Sequence, residues 1–96
     1  MKVEVGDKIY VPECKRPFKV RCRDDRFIIA TKPFNARKTV IYFIIDLKEK
    51  LRGPDNIIFC NGYETDEDCL KRLNELQSGK ISVSLRRSIP LDLDIE

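Results

Sequence analysis

Residues 40–45 read Val-Ile-Tyr-Phe-Ile-Ile and form the longest uninterrupted apolar run in the sequence. Their β-branched and aromatic side chains favour extended backbone. A strand with one face in water alternates apolar and polar residues, and this run does not. The run therefore predicts a strand over residues 39–47 that is buried on both faces and lies in the centre of a β-sheet. It is also far shorter than the roughly 20 apolar residues of a membrane-spanning helix.

Further strands are indicated on both sides of this run. Apolar and polar residues alternate from Phe18, and Asp24 with Asp25 predicts a hairpin turn. Gly53 and Pro54 predict that residues 48–56 turn the chain back into another apolar strand. Short spacing between strands favours antiparallel pairing. The additional strands are expected over residues 3–11, 18–23, 26–31, 57–60 and 81–86, with an edge strand over 91–96. The first of these strands is expected to be broken by a turn at Gly6 and Asp7.

One helix has a clear start signal. Thr65 is an N-cap residue, and Asp68 stands at the third helical position of a capping box. Gly79 predicts the end of the helix. The expected buried stripe consists of Cys69, Leu70, Leu73 and Leu76. The sequence thus predicts a single α+β domain over residues 1–96, with a mainly antiparallel sheet of about five to six strands and one helix, at about residues 65–78, packed on it.

The composition argues against catalysis and metal binding. The 96 residues include no histidine, the commonest general base and a frequent metal ligand. The sequence also lacks a nucleophile elbow, a glycine-rich phosphate loop and a zinc-protease motif. Cysteines at positions 14, 22, 60 and 69 are too widely spaced for a structural zinc site. We therefore expect a non-enzymatic protein with free thiols, no metal and no cofactor.

The amino terminus carries no signal-peptide pattern. We expect a cytoplasmic protein that folds alone or as a small homo-oligomer and has no membrane partner.

A row of cations is the first candidate binding surface. Alternation from Phe18 predicts that Lys19, Arg21 and Arg23 lie on one strand face, about 7 Å apart, with Arg26 just beyond the turn. This spacing is close to that of successive phosphates. The surface would suit nucleic acid or a phosphate-bearing small molecule. A solvated strand face, whose charges meet the acidic tail or a neighbouring subunit, is the alternative.

The second candidate combines two polar segments with aromatic residues. Arg52 and Asn56 belong to a Gly-Pro-rich segment expected to form a loop, where binding residues are often placed. Arg86 and Arg87 stand near a strand end, and guanidinium groups bind phosphate in a bidentate manner. Tyr42 or Phe43 would supply a surface for a base. Turn formation and an exposed strand end are the alternative explanations of the two segments.

Three segments resemble a group of small proteins encoded by bacteriophages and integrative elements. They are Lys-Pro-Phe-Asn-Ala-Arg-Lys-Thr-Val-Ile-Tyr-Phe-Ile-Ile-Asp-Leu at 32–47, Leu-Arg-Gly-Pro-Asp-Asn at 51–56 and Gly-Tyr-Glu-Thr-Asp-Glu-Asp-Cys at 62–69. The likeness covers about residues 18–91. The group closes with Ser-His-Arg-Asn ahead of Ile-Pro-Leu. This chain has Ser-Leu-Arg-Arg-Ser-Ile-Pro-Leu at 84–91, so the histidine and the asparagine are replaced.

The resemblance implies a binding role in the cytoplasm of a host cell. A viral sponge protein sequesters a cyclic nucleotide immune signal without cleaving it, which would engage Arg52, Asn56, Arg86 and Arg87, with Tyr42 or Phe43 near the base. An anti-CRISPR-like inhibitor would instead bind a host defence protein or nucleic acid through Lys19, Arg21, Arg23 and Arg26. A small hydrolase acting on such a signal is the third class, and it would return the ligand chemically altered.

Overall fold

The computed structural model describes residues 2–12, 14–33, 40–53, 63–81, 83 and 88–95. Within these ranges the chain forms six strands and one helix. The order is β1 (Lys8–Ile9), β2 (Phe18–Arg23), β3 (Phe27–Pro33), β4 (Val40–Asp46), β5 (Leu51–Gly53), α1 (Asp66–Gln77) and β6 (Ile89–Pro90). This architecture confirms the α+β class expected from the sequence.

All six strands belong to one antiparallel sheet, in the order β1-β2-β3-β4-β5-β6. The longest pairing joins β3 to β4, from Phe27 opposite Asp46 to Pro33 opposite Val40. The apolar run in β4 is therefore central, as its composition predicted. Each of the first five strands pairs with its neighbour along the chain, because antiparallel neighbours need only short links.

The sheet separates two apolar clusters. On the side that we call the tail face, Val20, Ile28, Phe43 and Ile45 pack with Leu91, Leu93 and Ile95 of the carboxyl-terminal segment. On the opposite side, the helix face, Cys22, Ile29 and Ile44 pack against α1. Alternate residues of β4 enter both clusters, which is why that strand carries no regular polar position.

The helix matches its sequence signals. Thr65 is the N-cap, the backbone N–H of Asp68 donates to its hydroxyl at 3.1 Å, and the Asp68 carboxylate accepts the N–H of Thr65 at 3.2 Å. Cys69, Leu73 and Leu76 are buried against the sheet. Leu70 was expected in this stripe but is 52% exposed, because it lies on the outer side of the helix. After Gln77 the chain leaves the helix, and Gly79 adopts a φ of +79°.

Two connections differ from the sequence prediction. The turn after β4 ends at Lys50, and residues 51–53 form β5, although we expected residues 48–56 to be one loop. The carboxyl-terminal edge strand was expected over 91–96, whereas the strand is Ile89–Pro90. Leu91, Leu93 and Ile95 instead lie on the tail face, because burying their alternating side chains needs no ladder of hydrogen bonds.

The remaining predictions concern two further strands, the cysteines and membrane-spanning helices. The strand expected over 57–60 and most of that expected over 81–86 lie outside the described residues. Cys14, Cys22 and Cys69 are free thiols, and Cys60 lies outside the described residues. No helix in the described ranges has the length and apolar character to cross a bilayer.

Candidate functional site

A cleft of about 280 Å³ opens on the helix face beside the amino-terminal end of α1. We call it the Lys19 cleft. Strands β2, β3 and β4 and the first residue of α1 each contribute to its walls. The lining residues are Lys19, Arg21, Thr31, Pro33, Val40 and Asp66. Two cations and a hydroxyl group thus meet in one concavity, near the lower limit of the size range of small-molecule sites.

Arg21 joins the cleft wall to the helix. Its Nε and Nη2 donate to Asp66 Oδ1 at 3.1 and 2.8 Å, and its Nη1 donates to Thr31 Oγ1 at 3.0 Å. The Arg21 side chain is 17% exposed, whereas the Asp66 carboxylate is 83% exposed. The guanidinium is therefore held in place by a buried hydroxyl and by a carboxylate that water can readily solvate.

Lys19 has a second lysine directly opposite. Lys8 of β1 pairs with Lys19 in the antiparallel register, and both residues are exposed. Like charges at directly opposed positions destabilise a sheet. Within the described ranges, neither ammonium group has a carboxylate within ion-pair distance. The pair leaves concentrated positive charge at the rim of the Lys19 cleft.

An aromatic stack continues the same row across the sheet. Lys19 pairs with Thr31, and Thr31 pairs with Tyr42. The Tyr42 ring stacks on Tyr63, with centroids 4.0 Å apart and an interplanar angle of 9°. Arg72 of α1 lies over Tyr63, its guanidinium carbon 5.9 Å from the ring centroid. Tyr42 is thus near the cleft, as a base-binding residue would need to be, but one face of its ring is already covered.

The basic strand face expected from the sequence is interrupted by a β-bulge. The register between β2 and β3 shifts between Val20 and Cys22, so Val20 enters the tail-face cluster and Cys22 the helix-face cluster. Such a bulge adds one residue and reverses the facing of those that follow. The prediction that Arg23 shares a face with Lys19 is therefore wrong. Arg23 donates instead to the carbonyl oxygens of Val3 and Asp24, at 2.8 and 3.1 Å.

Arg26 is also held within the protein. Its Nε and Nη2 donate to the two carboxylate oxygens of Asp46 at 2.9 and 2.8 Å. Its guanidinium carbon lies 4.7 Å from the centroid of the Phe27 ring. Of the four cations expected to form a binding surface, the structure brings only Lys19 and Arg21 together in a concavity.

The second predicted group is divided between the two faces. Arg52 lies in β5 opposite Ile45, on the tail face, and is 2% exposed. Its Nε donates to Asp92 Oδ1 at 2.7 Å, so this side chain is not positioned to bind a ligand. Phe43 is buried on the same face with its ring edge-on to Phe18, whereas Tyr42 is on the helix face. Asn56, Arg86 and Arg87 lie outside the described residues.

Sequence reasoning missed Thr31, Asp66 and Lys8 as members of the site. Asp66 had a sufficient explanation as an acidic residue in the first helical turn. Lys8 stands in a strand of two residues, and its opposition to Lys19 depends on register. The available signal was that Thr31 is polar and follows four apolar residues in β3, where a buried hydroxyl needs a partner.

The titratable groups of the helix face respond to burial. Burial raises the pKa of the Cys22 thiol to about 12, and the neighbouring thiol of Cys69 adds to the shift. Burial also raises the pKa of Cys69. These neutral thiols are unsuited to nucleophilic attack. In the described part of the chain, no three His, Cys, Asp or Glu side chains are grouped to hold a metal ion.

No protein-family profile, curated protein or solved structure matches this chain.

Proposed function

We propose that this protein binds a phosphate-bearing small molecule of the nucleotide class in the Lys19 cleft and releases it chemically unaltered. The observation that carries the proposal is the convergence of Lys19, Arg21 and the Thr31 hydroxyl on one concavity of about 280 Å³. Phosphate oxygens accept charge-assisted hydrogen bonds from both cation types.

The position of Asp66 indicates how a ligand phosphate would bind to Arg21. Its carboxylate now accepts two hydrogen bonds from Arg21. Because that carboxylate is 83% exposed, its ion pair with Arg21 contributes little free energy. A phosphate monoester carries more charge and more acceptor oxygens than the carboxylate, and a cyclic phosphodiester carries the same single charge as the carboxylate does. A ligand phosphate therefore competes with Asp66 for the guanidinium, while Thr31 keeps Arg21 in position.

The cleft favours a compact ligand over a polymer. An extended nucleic-acid surface would use Arg23 and Arg26 as well, but both side chains are engaged with groups of the protein itself. Among compact ligands we propose cyclic nucleotide immune signals first, and the support for this choice is the resemblance of the sequence to small phage proteins. The biological role that we propose is counter-defence, in which the protein sequesters such a signal.

The test is a calorimetric and thermal-shift titration with 3′,5′-cyclic AMP, a 3′,3′-cyclic dinucleotide and inorganic phosphate. A ligand that binds only the folded state raises the melting temperature with its concentration. Lys19→Ala should weaken binding about tenfold, because it removes a charge-assisted contact. Lys71→Ala removes the same charge from an exposed position on α1 and should leave affinity unchanged. Equal affinities for all three proteins, or no binding of any probe, would refute the proposal.

Two further measurements separate the alternatives. Ligand recovered after heat denaturation should have its original mass and retention time, whereas a hydrolase would return an altered molecule. If the nucleic-acid alternative is correct, a short single-stranded oligonucleotide should bind with a steep salt dependence. The homo-oligomeric state expected from the sequence stays a prediction, which light scattering after gel filtration measures.

A further inference from the structure

The edge of the sheet next to the Lys19 cleft carries an unusual combination of residues. Lys8 and Lys19 are directly opposed like charges in β1 and β2. Tyr10 follows Lys8 by two positions and is 65% exposed. None of the three side chains contributes to either apolar cluster. Packing in the two clusters therefore explains neither the paired lysines nor the exposed ring.

Alternation places these residues on one side of the sheet. Ile9 and Val11 are 4% and 5% exposed and belong to the tail-face cluster. Lys8 and Tyr10 therefore lie on the helix-face side, with Lys19 and its cleft. Residues two apart in a strand are separated by about 7 Å. Tyr10 directly follows β1, and an extended backbone there separates its Cα from that of Lys8 by about one such step.

We infer that the ligand of the Lys19 cleft is a nucleotide whose phosphate bridges Lys8 and Lys19 and whose base stacks on Tyr10. This inference rests on the proposed function and assigns the residues that contact the phosphate and the base of that nucleotide. A bridging anion removes the repulsion between the two lysines, because each ammonium group then has an opposite charge beside it. A base can stack on an exposed tyrosine ring, and the strength of this stacking depends little on which base it is.

The matched probes are adenosine 5′-monophosphate and ribose 5-phosphate, which share the phosphate and the sugar and differ in the base. The wild-type protein should bind the nucleotide at least about fivefold more tightly, as stacking on one aromatic ring provides. Tyr10→Ala should remove this preference and leave ribose 5-phosphate binding unchanged. Tyr10→Phe should keep it, because phenylalanine retains the ring.

Lys8 has its own test with the same probes. Lys8→Ala should weaken the binding of both compounds by the same factor, because the lysine contacts the phosphate that they share. Lys71→Ala is again the charge-matched control on an exposed helix position. The Lys8 part of the inference fails if Lys8→Ala leaves both affinities unchanged. Because Lys8 and Lys71 are both exposed, neither variant should lower the melting temperature.

The outcomes distinguish this inference from the proposed function. If both probes bind equally and Lys19→Ala weakens both, the phosphate site stands and stacking on Tyr10 is refuted. If Tyr10→Ala leaves the preference intact, the base lies elsewhere and the inference is overturned. If neither these probes nor the cyclic nucleotides bind, both the proposed function and this inference are overturned.

Discussion

The guanidinium of Arg52 is buried against the sheet and paired with a carboxylate that is half in water. Arg52 Nε lies 2.7 Å from Asp92 Oδ1, and the side chains are 2% and 47% exposed, respectively. The pair joins β5 to the carboxyl-terminal segment, whose Leu91 and Leu93 pack on the tail face. A residue that the sequence suggested for ligand binding therefore stabilises the end of the chain.

Asp92→Asn should destabilise the protein more than Arg52→Met does. The first change weakens the partner of a buried cation, at a cost of about 1–3 kcal/mol. The second removes the cation and keeps an unbranched apolar chain in its place, and Asp92 can turn to solvent. Urea denaturation measures both free energies of unfolding. A larger loss for Arg52→Met would show that packing of the arginine, and not its charge pairing, dominates.

Acid should destabilise the protein through three carboxylates. The hydrogen bond from the Arg52 guanidinium lowers the pKa of Asp92 below its ordinary value. Burial alone would raise the pKa of Asp46, but bonds from Arg26 and from the backbone N–H groups of Glu49 and Lys48 outweigh it, and the pKa is lowered. Asp24 behaves likewise, because bonds from the Phe27 N–H and from the Gln77 and Arg26 donors outweigh its burial.

A carboxylate whose pKa is lower in the folded state stabilises that state above its unfolded pKa. The contribution falls as the pH drops through the folded pKa. We expect the free energy of unfolding to be nearly constant from about pH 7 to pH 5, since the chain has no histidine, and to fall below about pH 4. Denaturation curves from pH 3 to 7 measure this profile. Asp46→Asn should reduce the slope below pH 4, and an unchanged slope would exclude Asp46 as a contributor.

The two buried thiols should be protected from alkylation. Thiolate is the reactive species, and burial raises the pKa of Cys22 to about 12 and also raises that of Cys69. Iodoacetamide at pH 8 should modify neither residue in the folded protein within the time that modifies both in urea. Peptide mass spectrometry identifies the sites. Rapid modification of Cys22 without denaturant would contradict its position between the sheet and α1.

Lys8→Glu should affect stability and binding in opposite directions. A glutamate opposite Lys19 replaces repulsion with attraction and should add about 0.2–1 kcal/mol to the free energy of unfolding. The same carboxylate should repel a phosphate and weaken nucleotide binding beyond the effect of the uncharged control, Lys8→Gln. Denaturation and titration calorimetry measure the two effects. If Lys8→Glu binds the nucleotide as well as Lys8→Gln does, the phosphate does not lie between the lysines.

The fold was largely accessible from the sequence because its signals are local. The uninterrupted run in β4 indicated a central strand, and Thr65 with Asp68 indicated where α1 begins. The two-residue strands β1 and β6 carry too little pattern to define their ends. Leu70 satisfied the apolar spacing of a helix stripe, and only the packing of α1 shows that it lies outside the buried face.

The site was less accessible because it depends on register and on contacts between distant residues. Alternation placed Lys19 and Arg23 together, but one additional residue at the bulge separates them. Arg52 and Asp92 are 40 positions apart, so no local pattern indicates that they pair. Lys19 and Arg21 were identified from the sequence, whereas Thr31 and Asp66 became members of the site only through the contacts of Arg21.

The most direct test of the Lys19 cleft is the nucleotide affinity of Asp66→Asn. Asp66 accepts two hydrogen bonds from Arg21, so a phosphate that uses this guanidinium has to displace it. Replacing the carboxylate with a neutral amide should strengthen binding of adenosine 5′-monophosphate about threefold to tenfold, as removal of a competing surface charge allows. Glu67→Gln removes an exposed charge from the next helix position and should have a smaller effect. An affinity for Asp66→Asn that is unchanged or reduced would contradict phosphate binding at Arg21.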